Sequence, residues 1–128
     1  MKIVNDRAIV LKTKRPHLVT ERVENYKILK EEGGVYKLAV PWRLKESQVL
    51  ADLKVDVPSP MQRDYEWVGR YQPFEHQKKT ASFLTLHPRG FCFNEQGTGK
   101  TASVIWAADY LMQQGKVNRV LVICPLSI

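Results

Sequence analysis

The octamer NEQGTGKT, residues Asn94–Thr101, restricts what this chain can fold into more than any other feature. Gly97 and Gly99 stand two apart with Thr98 between them, and Lys100 and Thr101 follow at once. Such a run suits a loop whose backbone N–H groups curl around an anion at the start of a helix. The glycines let the main chain turn without a Cβ in the way. A loop of this kind has to leave a strand and open a helix, and the flanking sequence offers both. Gly90–Phe93 (GFCF) reads as a short apolar strand. From Lys100 to Gln114, the residues Val104, Ile105, Ala108, Leu111 and Met112 make an apolar helical stripe that Gly115 stops. Arg119–Cys124 (RVLVIC) is a run of the type buried on both faces of a parallel sheet. Strand, loop, helix and strand together predict one right-handed βαβ unit.

In such a loop Lys100 places its ammonium on the β- and γ-phosphates of a nucleotide, and Thr101 offers its hydroxyl to Mg²⁺. The general pattern has a glycine five residues before Gly99, where this chain has Asn94. Upstream, Pro73 is placed to open a helix in which Phe74, Gln77, Ala81 and Leu84 share a face, and Pro88 ends it.

Together these stretches resemble superfamily-two helicases, and within them the Swi/Snf-type DNA translocases, whose loop often lacks the first glycine. NEQGTGKTASVIWAADYL resembles their phosphate loop and following helix. YQPFEHQKKTASFL (Tyr71–Leu84) resembles their adenine-recognition segment, with Gln77 at the place of the glutamine that reads the adenine edge. VLVICPLSI (Val120–Ile128) resembles the strand and loop that touch the nucleic-acid backbone. The resemblance implies ATP and Mg²⁺ as cofactors, held by Gln77, Gly97, Thr98, Gly99, Lys100 and Thr101. It implies DNA as a partner, with Pro125 and Ser127 beside the track; Ser127 could equally cap a following helix.

The first half has another rhythm. Ala8–Thr13 is a strand candidate, and Tyr26–Lys30 and Val35–Val40 flank a Glu-Glu-Gly-Gly turn that predicts a hairpin. Residues 17–24 fit helix or strand. Arg43–Leu53 puts Leu44, Val49, Leu50 and Leu53 near one helical face. Pro58 and Pro60 break the pattern, so Val55–Trp67 reads as extended chain or a boundary. The expectation is an α/β chain: a small α+β accessory module over residues 1–57, a linker over 58–70, and the amino-terminal part of a RecA-like P-loop domain with parallel strands over 71–128. The stretch Val40–Pro60 resembles an accessory module that precedes the motor in some phage helicases.

Composition narrows the classes. With 44% hydrophobic and 26% charged residues the chain is neither disordered nor membrane-spanning, and it carries no leader-like segment, so a cytoplasmic protein of a bacterium or an infected host cell is expected. Cys92 and Cys124 have no partner motif, and His17, His76 and His87 are scattered, which excludes a zinc site or a disulfide framework. Net charge is +7: residues 1–22 hold six basic and two acidic groups (+4), 23–70 eight of each, and 71–128 six and three (+3). A basic excess suits a polyanion as well as it suits a solvated surface. Lys12, Lys14 and Arg15 are candidate phosphate contacts, and Tyr26, Tyr36 and Trp42 are either base-stacking groups or cross-strand and core residues.

After Lys100 the only acid is Asp109, in mid-helix, where it reads as a solvated residue. Family members use a later Asp-Glu pair and a second lobe to hydrolyse ATP. The expectation is therefore a front portion of a motor that binds ATP without turning it over and needs a carboxy-terminal remainder. The alternatives are another P-loop enzyme, a small kinase or GTPase, and a non-enzymatic nucleic-acid-binding module.

Overall fold

The computed structural model of the chain describes residues 1–90, 99–123 and 125. Its sheet is built from four strands, β1 (Lys2–Val4), β2 (Ala8–Thr13), β3 (Lys27–Glu32) and β4 (Val35–Pro41), in the order β1-β2-β4-β3 with every pair antiparallel. The Gly33–Gly34 turn has φ of +58° and +81°. Positive φ at both central positions matches the right-handed twist of the strands it joins, which is why two glycines stand there. Strand β1 lies outside the sequence expectation. Its turn holds Asn5 and Asp6 at φ +52° and +53°, residue types that tolerate the left-handed region, so an Asn-Asp pair between two apolar runs was the overlooked hairpin signal.

Between β2 and β3, residues 17–24 resolve as the single turn α1 (His17–Thr20). Helix α2 (Leu44–Asp52) covers one face of the sheet. The first core gathers Ile9, Leu11, Leu38 and Val40 from the sheet with Val49 and Leu50 from α2.

The segment around Pro58 and Pro60 is neither free nor wholly extended. Pro60 opens the one-turn helix α3 (Met61–Asp64), with the Asp64 N–H bonded to the Pro60 carbonyl at 2.9 Å. Proline suits the start of a helix because its missing N–H has no partner there. Ser59, Met61 and Tyr65 are buried. The Ser59 and Thr85 hydroxyls pair at 2.7 Å, and Gln48 Nε2 donates to the Thr85 carbonyl at 2.8 Å. Residues expected to form a linker thus join α2 to α4 (Glu75–Leu86).

The second core comprises Met61, Tyr65, Ala81, Trp106, Ala107 and Tyr110, with Leu44 from α2. It lies between α3, α4 and α5 (Lys100–Gln113). The carboxyl end of α5 closes with the Gly115 N–H on the Met112 carbonyl at 3.0 Å and the Lys116 N–H on the Leu111 carbonyl at 2.9 Å, as the Gly115 stop signal implies.

One expectation for the second half needs correction, and another is not seen among the described residues. The buried stripe of α5 is Ser103, Trp106, Ala107 and Tyr110, while Val104, Ile105 and Met112 are exposed. The helix is apolar on more than one face, and the side turned inward carries the two aromatic groups with most area to bury. Among the described residues no parallel strands form: Arg119–Ile123 adopt no strand, and Leu121 and Ile123 are 84% and 88% exposed. A strand needs a neighbour to satisfy its backbone, and none of the described residues pairs with this run. The GFCF strand falls, beyond Gly90, outside the described residues. What the structure shows is a small α+β fold with a four-stranded antiparallel sheet and five helices among the described residues.

Candidate nucleotide site

The amino-terminal ends of α4 and α5 meet at Gln77. This side chain sits in the first turn of α4 and is buried. Its Oε1 accepts the Phe74 N–H at 2.8 Å, which satisfies one of the donors a helix start leaves open. Its Nε2 donates to the Gly99 carbonyl at 3.3 Å. Gln77 and Gly99, twenty-two positions apart and both singled out by the sequence, are therefore in direct contact.

Gly99 has to be glycine for two reasons. It has φ +73°, in the left-handed region, and a Cβ there would stand 2.0 Å from Gln77 Nε2. Its carbonyl also accepts the Ser103 N–H at 3.2 Å and the Ser103 hydroxyl at 3.3 Å, so it begins the α5 hydrogen-bond ladder. Lys100 and Thr101 are the first two residues of α5, Lys100 half-buried and Thr101 exposed. The positive end of a 14-residue helix dipole is thus presented together with an ammonium and a hydroxyl. Gly97, Thr98 and Ser127 lie outside the described residues. Pro125 is exposed and in no element.

Beside Gln77 lies a groove of about 490 Å³. Val68, Arg70, Tyr71 and Phe74 line one side, and Ala102 and Ile105 of α5 the other. Tyr71 and Phe74 are 76% and 68% exposed, so both rings are open to a ligand. Trp106 anchors the groove, its indole N–H donating to the Val68 carbonyl at 2.8 Å. Sequence reasoning singled out Gln77 but not this wall; the signal was Arg70, Tyr71 and Phe74 standing close together in VGRYQPF just ahead of the helix.

Asp109 is not the solvated residue the sequence suggested. It is half-buried and accepts the Tyr65 hydroxyl at 2.7 Å, tying α5 to the segment that leaves α3. Burial, and then the bond to the Asp109 carboxylate, push the Tyr65 hydroxyl well above its ordinary value. The Tyr110 hydroxyl is pushed up to about 12, by burial first and then by Asp64, with Arg63 opposing. The same Asp109 oxygen also accepts the Gln113 Nε2 at 3.3 Å, so it is engaged both within α5 and across to Tyr65.

Two of the three aromatic residues of the first half are tied into the fold. Trp42 is buried, donates to the Pro58 carbonyl at 2.9 Å and lies under the Arg63 guanidinium, 4.7 Å from its ring centre. Tyr36 is half-buried opposite Thr13 and Glu31, with its hydroxyl raised by a hydrogen bond to Glu31. Tyr26 is exposed. Among the described residues no group of three His, Cys, Asp or Glu side chains could hold a metal, and no helix is long and apolar enough to cross a membrane. No protein-family model matches this chain, and neither the curated proteins nor the solved structures contain a match.

Proposed function

We propose that this chain binds Mg·ATP as the front part of the first RecA-like lobe of an ATP-dependent DNA translocase. The observation that carries the reading is the Gln77–Gly99 contact beside the open groove. A carboxamide offers two N–H donors and two lone pairs on oxygen. Gln77 uses one N–H on Gly99 and one lone pair on Phe74, which among the described residues leaves one donor and one acceptor. That remainder complements the N7 acceptor and N6 donor of adenine, and mismatches guanine, which shows two acceptors on the same edge. The base would enter the groove between Tyr71 and Phe74. Lys100 would take the β/γ-phosphates and Thr101 the Mg²⁺, which usually keeps several waters and needs only one or two protein ligands. Gly97 and Thr98 complete the loop in this reading, and Pro125 and Ser127 would follow the DNA backbone.

The test is a titration with fluorescent nucleotides. Lys100→Ala should weaken ATP binding at least tenfold, equivalent to about 1.4 kcal/mol. Gln77→Ala should narrow the preference for ATP over GTP. Equal ATP affinity in the Lys100→Ala protein refutes the site, and a wild type that takes GTP as well as ATP favours a different P-loop enzyme.

A further inference from the structure

The face of the sheet turned away from α2 carries a row of lysines. Lys12 of β2 stands directly opposite Lys37 of β4, and Lys37 directly opposite Lys30 of β3. Lys2 pairs with Val10, and Lys27 with Ala39, on the same face. Glu32 is the one acid there, in an exposed pair with Lys30 at 3.1 Å. Five lysines and one glutamate give the face +4. Two shallow grooves run over it, one of about 370 Å³ between Lys12, Lys30 and Lys37, the other of about 540 Å³ along Lys2, Val10, Lys12 and Leu29.

Like charges directly opposite on neighbouring strands destabilise a sheet. Lysines often guard edge strands against pairing with another chain, but β2 and β4 are the two central strands, so edge protection does not explain Lys12 or Lys37. Folding gains nothing from this row, whereas a linear polyanion laid across the strands would relieve it. Neither groove is lined by an aromatic side chain, so the face lacks both the platform on which unstacked bases sit and the aromatic anchors of a membrane interface.

We propose that this open sheet face is a docking surface for the phosphate backbone of duplex nucleic acid, with Lys12, Lys37 and Lys30 as its central contacts. The surface is separate from the Gln77–Gly99 site and does not depend on nucleotide binding there. It also differs from the sequence expectation, since Lys14 and Arg15 follow the end of β2 and lie outside the row.

The experiment is fluorescence anisotropy of the full chain with a labelled mixed-sequence duplex, without nucleotide, across a range of salt. Changing Lys12, Lys30 and Lys37 together to Gln should weaken binding and flatten the log K against log salt slope by about 2.7, at about 0.9 for each lost phosphate contact. The single Lys37→Gln variant should flatten it by about 0.9, and it serves if the triple variant folds poorly. Without DNA the triple variant should melt no lower than wild type, because the repulsion is gone. The pair Lys14→Gln and Arg15→Gln should keep the wild-type slope. Unchanged slopes in the lysine variants overturn the proposal. So does tighter binding of the matching single strand, or binding of anionic phosphatidylserine vesicles that the duplex fails to displace.

Discussion

Gly99→Ala tests whether the two helix starts are coupled through Gln77. Alanine at φ +73° carries the left-handed strain of an L-residue, about 1–2 kcal/mol. Its Cβ would also lie 2.0 Å from Gln77 Nε2 and 3.1 Å from Cδ, so the carboxamide has to leave. Leaving breaks the bond to Gly99 and the bond from Phe74 N–H, at about 0.5–1.5 kcal/mol each. The single substitution should therefore destabilise by about 2–5 kcal/mol in all. In a Gln77→Ala background there is no carboxamide to displace, and the same change should cost only the strain, about 1–2 kcal/mol. The double-mutant cycle then shows a coupling of about 1–3 kcal/mol. Denaturant unfolding followed by tryptophan fluorescence reads it, because Trp106 and Trp67 pack in the core that α4 and α5 share. If Gly99→Ala costs the same with and without Gln77, to within about 0.5 kcal/mol, the steric argument fails and Gly99 is glycine for its backbone alone.

Alkaline pH should unfold the second core early. Tyr65 and Tyr110 hold their protons above the ordinary 10.0, so their contribution to stability is complete below about pH 10 and falls as pH rises toward 12; Tyr110→Phe should make the decline in melting temperature shallower. Tyr65→Phe at neutral pH loses the bond to Asp109 and should cost about 1 kcal/mol in denaturant unfolding. Arg43→Ala should cost about 1–3 kcal/mol, more than Glu46→Gln, because it leaves the buried Glu46 carboxylate without the guanidinium 2.8 Å away. With Asp109 engaged by Tyr65 and no other acid after Lys100, the purified chain should show no DNA-stimulated phosphate release, and robust release that vanishes in Lys100→Ala would contradict the assignment of roles.

The first half was legible where local chemistry decides. Gly33 and Gly34 announce their turn, the alternation in Ala8–Thr13 and Val35–Pro41 sets the buried face of the sheet, and the Leu44–Leu50 spacing places α2. In the candidate site, Gln77 and Gly99 were singled out from their motifs. Their contact was not, because it depends on how α4 packs on α5, which no local pattern encodes. The lysine row was hidden for the same reason. Lys12, Lys30 and Lys37 are scattered along the sequence, and only strand order and register bring them side by side.

Helix α5 marks where periodicity stops being informative. Two stripes at helical spacing run along it, Val104, Ile105, Ala108, Leu111 and Met112 on one side, and Ser103, Trp106, Ala107 and Tyr110 on the other. By apolar count the first is the better core face. The second is buried because Tyr65, Trp67 and Ala81 are there to receive it: Trp67 meets Trp106 edge-on at 5.5 Å, and Tyr65 meets Tyr110 edge-on at 6.0 Å. Such aromatic contacts contribute beyond their area, by about 0.5–1.5 kcal/mol each. A helix that is apolar all round is one that is enclosed on all sides, so the exposed stripe on α5 and the exposed run Val120–Ile123 share one physical requirement. Both would be met together in a parallel sheet flanked by α5, the arrangement on which the proposed RecA-like reading rests. Amide hydrogen exchange separates the two situations. Backbone N–H groups of Val120–Ile123 that exchange as fast as a free peptide mean that the run stays solvated, whereas strong protection there would mean that it pairs as a strand and that α5 is covered on its second face.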